Sequence, residues 1–229
     1  MSSTKTGNSS KKKIDISILL KAFEMMSKAR AMAEIYDENR QITKYVHSTS
    51  KGHEAIQLAT AFQLESFDWL APYYRDESML LGIGMEPHEM MYQLLAKGLD
   101  PFSGGRSYYG HPSLAREGMP KIAHQSSATG MQAIPTTGIA QGIHYLESQK
   151  LLEKNNPVVI CSLGDGSVTE GEVSEAMQMA VLHQLPIIYL VQDNDWGISA
   201  SGDEMRAMDA YEFASGFKGM KRVRLNGSD

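Results

Sequence analysis

A single cysteine, Cys161, stands among the 229 residues. No internal disulfide can form, and a reducing compartment is the natural reading. A basic excess is also missing: 22 Lys and Arg face 27 Asp and Glu, for a net charge of −5. That balance leaves no electrostatic footprint for nucleic acid. No apolar run approaches the roughly 20 residues a membrane-spanning helix needs, so no membrane partner is expected. Residues 1–13 hold almost nothing apolar and no Arg. They lack the apolar core of a secretory signal and the Arg-rich character of a transit peptide. Too little surface can be buried there to offset ordering entropy, so a disordered polar tail is expected, with Lys11-Lys12-Lys13 as a solvated charge run. Internal repeats are absent as well. A cytoplasmic location is the default that remains.

What is present suits one globular unit. An apolar share of 42% and a charged share of 21% are ordinary for such proteins. The length fits one large domain, expected over 14–229. Ile14 to Asn39 carries apolar residues at helical spacing, with Asp15 as candidate N-cap. Its amphipathic face would pack on the domain or on a partner subunit. A second helix opens at His53-Glu54 and runs to about Gln63, and Asp68–Pro72 reads as a short strand. A third helix covers Met85 to Gly98, with Pro87 in its first turn, where a missing N–H costs little. Residues 99–125 are rich in Gly, Pro, Ser and Tyr and read as a long loop, a length that tends to be functional. Another helix follows from Ile134 to Leu146. Its Gly138 and Gly142, four apart, suggest a tightly packed helix face. The 15 methionines read as flexible core or interface fillers.

The most informative stretch begins at Val158. Val158–Leu163 is a short run rich in β-branched residues and reads as a buried parallel strand. Gly164-Asp165-Gly166 follows, a turn that can bend sharply and approach a phosphate closely. Glu170 to Gln184 then shows helical spacing, with Val173, Met177, Ala180 and Val181 on one face. Ile187–Val191 is a second strand, ending at Asp193-Asn194. In an open parallel sheet, ligands sit beyond the carboxyl ends of the strands. Asp165 and Asn194 both fall there, and a carboxylate with an amide oxygen suits Mg²⁺ shared with a phosphorylated cofactor.

This arrangement resembles the thiamine diphosphate signature, in which Gly-Asp-Gly is followed by an Asn pair; here the pair is Asp193-Asn194. The resemblance extends over most of 44–229, to the α subunit or α half of 2-oxoacid dehydrogenase E1 components, the branched-chain type above all. Pro72-Tyr73-Tyr74-Arg75-Asp76 is similar to the family's Tyr-Arg pair on the cofactor diphosphate. Gly104-Gly105-Arg106 and Tyr109-Gly110-His111 resemble a Gly-Gly-Arg…His loop at the active-site entrance. Ser126–Gln132 resembles the segment whose backbone meets the aminopyrimidine ring. Asp193–Ser199 is similar to the family's Asn-Asn-x-Tyr-x-Ile-Ser.

The resemblance implies a doubly wound, mostly parallel α/β fold of the thiamine diphosphate-binding type. It implies a cofactor whose thiazolium carbon takes up the electron pair released on decarboxylation. Asp165, Asn194 and the Trp196 carbonyl would hold Mg²⁺. Gly164, Gly166 and Ser167 would line the diphosphate, with Gly166 and Ser167 giving amides ahead of a helix N-terminus. Arg75 would add a charge-assisted bond and Tyr74 a hydroxyl. Ser127 and Thr129 would meet the aminopyrimidine through backbone atoms. Ala128 and Met131 differ from the branched-chain relatives, so potassium is not assigned.

His47 and His111 match positions near the family's substrate channel and are candidate catalytic residues. His53 is expected to be structural, and His88, His144 and His183 to lie exposed on helices. The family's ring-activating Glu belongs to a β subunit or fused β half, and its His-bearing loop would follow residue 229. The chain therefore reads as a truncated cofactor-binding half, inactive alone. Its implied partners are the β half, a 2-oxoacid and the lipoyl domain of an E2 acyltransferase. Two other readings stay open: a transketolase-like carbon transfer on the same site, and a non-catalytic binding or assembly module.

Overall fold

A computed structural model describes residues 14–45, 48–152 and 155–227. The expected polar tail at 1–13 and the candidate His47 lie outside the described residues. Helix α1 (Ile16–Glu38) is continuous, and the Asp15 carboxylate caps it by accepting from the Ser17 amide at 2.9 Å. Only its second half is buried, through Ala29, Met32, Ala33 and Tyr36; Ile16, Leu20 and Phe23 stand exposed. Helix α2 (Glu54–Ala61) leads to strand β1 (Trp69–Ala71). Helices α3 (Glu77–Gly82) and α4 (Pro87–Leu94) follow, α4 opening with Pro87 and a Glu86/Glu89 capping box. The stretch from 99 to 125 is mostly irregular, as expected, with an isolated bridge between Leu114 and Ile122 and another from Lys121 to Trp69.

Helix α5 (Ala133–Ser148) precedes β2 (Val159–Gly164), a 3₁₀ turn (Asp165–Thr169), α6 (Gly171–Leu182) and β3 (Ile187–Gln192). The three strands pair in parallel in the order β1-β2-β3. Helices cover both faces, because alternate side chains of β2 point opposite ways. Ile160 packs with residues from α1, α3 and α4. Val159, Cys161 and Leu163 pack with residues from α5 and α6. Burying a side chain such as Leu70 or Met79 contributes about 1.5–3 kcal/mol each. This open, parallel α/β sheet is the expected fold class.

Two expectations need correction. Gly138 and Gly142 do not mediate tight packing: both are exposed, and a Cβ added at either meets nothing within 4 Å. The close approach lies instead at Gly82, where a Cβ would come within 2.5 Å of the Ala61 Cβ and push α2 from α3. The second correction concerns α3, which the periodicity did not reveal. Glu77, Ser78, Met79, Leu80 and Leu81 are all buried, so no apolar stripe alternates with a polar face.

Glu77 makes that burial consequential. Its carboxylate accepts from the Tyr109 hydroxyl and, at 3.2 Å, from the Ser50 amide. Burial pushes its pKa up from 4.5 to about 7. The folded protein therefore holds this proton more tightly than the unfolded chain. The associated stability is present below pH 4.5 and is lost as pH rises through 7. Wild-type Tm is expected to fall between about pH 4.5 and 7 and to level off above that, and Glu77→Gln to flatten that slope. Scanning calorimetry of both proteins across that window checks it; parallel slopes would contradict the assignment.

Candidate functional site

All three parallel strands deliver their carboxyl ends to one edge of the sheet. Beyond β1 lie Tyr73, Tyr74 and Arg75; beyond β2, Gly164 and Asp165; beyond β3, Asp193 and Asn194. A buried polar network locks these ends together. The Gln192 amide donates to Asp76 at 2.6 Å and to the Ser162 hydroxyl at 2.9 Å. Gln57 donates to Gln192 at 2.8 Å and to the Arg75 carbonyl at 3.1 Å. Asp76 also accepts from the Tyr73 amide at 3.0 Å, fixing the turn that carries Arg75. Desolvation raises the Asp76 pKa to about 6, so its carboxylate is charged at neutral pH and able to hold the network.

Arg75 is half-buried, donates from Nε to the Tyr73 hydroxyl at 3.0 Å, and lies over the Tyr74 ring at 5.6 Å. Among the described residues it makes no salt bridge, so its charge is not spent on a carboxylate. Asp165 is 2% exposed, and Ser167 Oγ donates back to the Gly164 carbonyl at 2.6 Å. One expectation shifts here. Gly166 and Ser167 do not directly precede the long helix; they sit in the 3₁₀ turn, and α6 begins only at Gly171. Their amides still belong to a first turn, which has no helical acceptors.

Asn194 is half-buried, and its Oδ1 accepts from the Trp196 amide at 3.1 Å. Trp196 starts a short hairpin, β4 (Trp196–Gly197) and β5 (Ala200–Ser201), which the sequence patterning did not suggest. Strands of two residues are too short to carry an alternation. Helix α7 (Gly202–Met205) then folds back over the Gly-Asp-Gly turn. A Cβ at Gly166 would touch Met205 at 3.8 Å and Gly197 at 3.9 Å.

Sequence reasoning missed Arg206. One guanidinium nitrogen donates to Asp165; the other donates to Asp195 at 2.8 Å and to Asp193 at 3.2 Å. Its side chain is only 9% exposed. Burial works against its charge, yet the Asp165 and Asp193 carboxylates hold its pKa above the ordinary value. The usable signal was a surplus of Asp at the strand ends, which called for a cation from elsewhere in the chain.

Ser127 and Thr129 are exposed on the loop before α5. Gly130 holds that loop against the end of the Asp165–Thr169 turn, since a Cβ there would meet the Glu170 side chain at 2.9 Å. Ser126 and Ser127 also border a cleft of about 620 Å³, with Arg106, Tyr108, His111 and His124. His111 is buried, and its Nδ1 lies 2.9 Å from the Tyr109 carbonyl. That carbonyl can only accept, so Nδ1 carries the proton and Nε2 is left as an acceptor. Desolvation lowers the His111 pKa, which favours the neutral ring. His53, expected to be structural, stands at the start of α2, where it feels the charges of Arg75 and Asp165. His88, His144 and His183 are exposed, as expected.

The donor set at Asp165, Asn194 and the Trp196 carbonyl is all oxygen, the chemistry of a hard divalent cation. The Arg206 guanidinium against Asp165 is a positive charge already accommodated there. Among the described residues, no group of three or more His, Cys, Asp or Glu is arranged to hold a metal. A cation at this place would draw its remaining oxygens from a ligand.

Comparison with known proteins identifies the scaffold. The sequence profile described as "Dehydrogenase E1 component" matches residues 23–229. The chain belongs to that family. Among its relatives is the 2-oxoisovalerate dehydrogenase subunit alpha of Bacillus subtilis (strain 168), 32% identical over 180 residues, covering 78% of this chain and 52% of the relative. The 3-methyl-2-oxobutanoate dehydrogenase subunit alpha of Mycobacterium tuberculosis (strain H37Rv) is 29% identical over 209 residues, with 90% and 51% covered. The pyruvate dehydrogenase E1 component subunit alpha of Bacillus cereus is 30% identical over 191 residues, with 83% and 46% covered. The chain thus spans about half the length of these relatives. The dehydrogenase E1 family is thiamine diphosphate-dependent. No helix among the described residues is long and apolar enough to cross a membrane.

Proposed function

We propose that residues 14–229 form the diphosphate-gripping part of a dehydrogenase E1 component. The complete protein would oxidatively decarboxylate a 2-oxoacid, branched-chain acids ahead of pyruvate, and transfer the acyl group to the lipoamide of an E2 acyltransferase. The observation that carries this reading is the convergence of Arg75, Asp165 and Asn194 at the carboxyl ends of three adjacent parallel strands. The relatives named for 2-oxoisovalerate and 3-methyl-2-oxobutanoate support the substrate preference.

Asp165, Asn194 and the Trp196 carbonyl would hold Mg²⁺, leaving coordination sites for diphosphate oxygens. Arg75, paired with no carboxylate among the described residues, would take a phosphate oxygen by a charge-assisted bond, with Tyr74 beside it. The backbone of Gly164, Gly166 and Ser167 would line the diphosphate, and that of Ser127 and Thr129 the pyrimidine edge. When bound, thiamine diphosphate supplies the electron sink for decarboxylation. His111, with Nε2 as acceptor, suits taking up a proton at the cleft better than orienting a carboxylate, which needs a donor. The β half, as a separate or fused chain, would supply the acid that activates the cofactor ring.

The test is 2-oxoacid-dependent reduction of an artificial electron acceptor by the complete protein with its β half, thiamine diphosphate and Mg²⁺. We expect kcat/KM for 3-methyl-2-oxobutanoate to exceed that for pyruvate by about tenfold or more, the scale of discrimination by a few methylenes. Silence with both acids despite bound cofactor would overturn the reading and favour carbon transfer.

A further inference from the structure

We propose that Arg206 is the internal counter-cation of the cofactor pocket: its guanidinium neutralises Asp165 while no divalent cation is bound, and the divalent cation binds by displacing it. The inference rests on the reading of Asp165 as a cation ligand. It goes beyond that reading by assigning a role to a residue that reading does not use.

The geometry is specific. One guanidinium bridges three carboxylates from two strand ends: Asp165 after β2, and Asp193 and Asp195 after β3. Asp165 has a side chain only 3% exposed, so without a cation its charge would be buried uncompensated. Arg206 meets that need from a distant point of the chain. Three carboxylates against one guanidinium leave a surplus of negative charge, so the pocket still attracts a second cation. Like charges at contact distance repel, so a divalent cation on the Asp165 carboxylate weakens the guanidinium's hold there.

The segment bearing Arg206 is built as a latch. The Gly202 amide donates to the Asp195 carbonyl at 2.9 Å, and the Arg206 amide to the Gly202 carbonyl at 3.0 Å. Gly202 lies so close that a Cβ would fall 2.0 Å from the Asp195 carboxylate. Asp195 and Ile198 adopt left-handed φ of 62° and 60°, and Ile198 is 99% exposed. Beside the packing of Met205 on Gly166, the Arg206–Asp165 ion pair ties this segment to the Gly-Asp-Gly turn. A cation that takes Asp165 therefore loosens the segment 202–206 as it frees the guanidinium from Asp165.

The experiment uses the assembled complete protein and Mn²⁺ alone as probe, with free Mn²⁺ read by electron paramagnetic resonance. Arg206→Met is expected to bind Mn²⁺ at least tenfold more tightly than wild type, and Arg206→Lys to stay near wild type. Equal or weaker binding by a folded Arg206→Met overturns the proposal. A second measurement needs no variant: in wild type, Mn²⁺ is expected to speed amide hydrogen exchange at 202–206, and unchanged exchange overturns displacement. Asp165→Asn separates the two layers. If it abolishes Mn²⁺ binding while Arg206→Met fails to tighten it, the metal-site reading stands and the counter-cation proposal falls. If Mn²⁺ binds Asp165→Asn as well as wild type, the metal-site reading falls and takes this proposal with it.

Discussion

Asp165→Asn is expected to lower kcat/KM of the assembled protein for its 2-oxoacid at least about 100-fold, a loss near 2.7 kcal/mol of transition-state stabilisation. The substitution preserves shape and removes only the charge. Asp165 is 2% exposed at the end of β2, so water cannot replace the lost carboxylate in holding a cation. Divalent cations depend on such charged oxygens, and an amide oxygen alone is a weak substitute. The Arg206 guanidinium would lose one of three carboxylate partners but keep Asp193 and Asp195. The fold should therefore survive, and circular dichroism should match wild type. Steady-state rates across a Mg²⁺ series give the decisive pattern: a large rise in the Mg²⁺ concentration needed for activity. Wild-type rates and an unchanged Mg²⁺ requirement would remove Asp165 from the site.

Gly110→Ala is expected to cost about 2–4 kcal/mol of stability and lower Tm by roughly 5–15 °C. Two effects combine. The left-handed φ of 75° disfavours any residue with a Cβ, by about 1 kcal/mol. The new Cβ would also stand 2.9 Å from the Tyr74 Cα and 3.1 Å from its carbonyl oxygen. Those are backbone atoms and cannot rotate away. Either the loop bearing His111 or the turn bearing Tyr74 and Arg75 must move, so cofactor affinity should fall with stability. Gly118→Ala is the matched control, because φ there is 76° but a Cβ meets nothing within 4 Å. It should show the conformational cost alone. Calorimetry of both variants separates the contributions, and equal Tm shifts would contradict the contact argument.

Much of the scaffold was legible because its signals are local. Val158–Leu163 and Ile187–Val191 announced themselves as strands by β-branched runs, and both lie within a residue of the observed β2 and β3. Asp15 and Pro87 marked helix starts by capping chemistry that acts over a single turn. Asp165 and Asn194 could be brought together on paper because parallel strands send their carboxyl ends to one edge; Arg75 was added by the resemblance of its Tyr-Arg turn.

What stayed hidden depends on groups distant in the chain. Nothing near Arg206 in sequence says that it reaches Asp165, and no pattern around Gln192 predicts its bonds to Asp76 and Gln57. Helix α3 was hidden for the opposite reason: burial on every side erased its period. Gly138 and Gly142 misled because four-residue spacing of small residues marks a face without saying whether anything lies against it.

The most direct test of the central claim is titration of the assembled protein with thiamine diphosphate, followed by the fluorescence of Trp196. This side chain is 54% exposed and two residues beyond Asn194, so a filled site should change its emission. The Trp69→Phe background removes the other tryptophan of these 229 residues, and Trp196→Phe identifies the part of the change that Trp196 supplies. Saturable binding with Mg²⁺, lost with chelator and lost again in Asp165→Asn, is the expected result. Binding that ignores both chelator and Asp165, or no binding with Mg²⁺ present, would contradict the account.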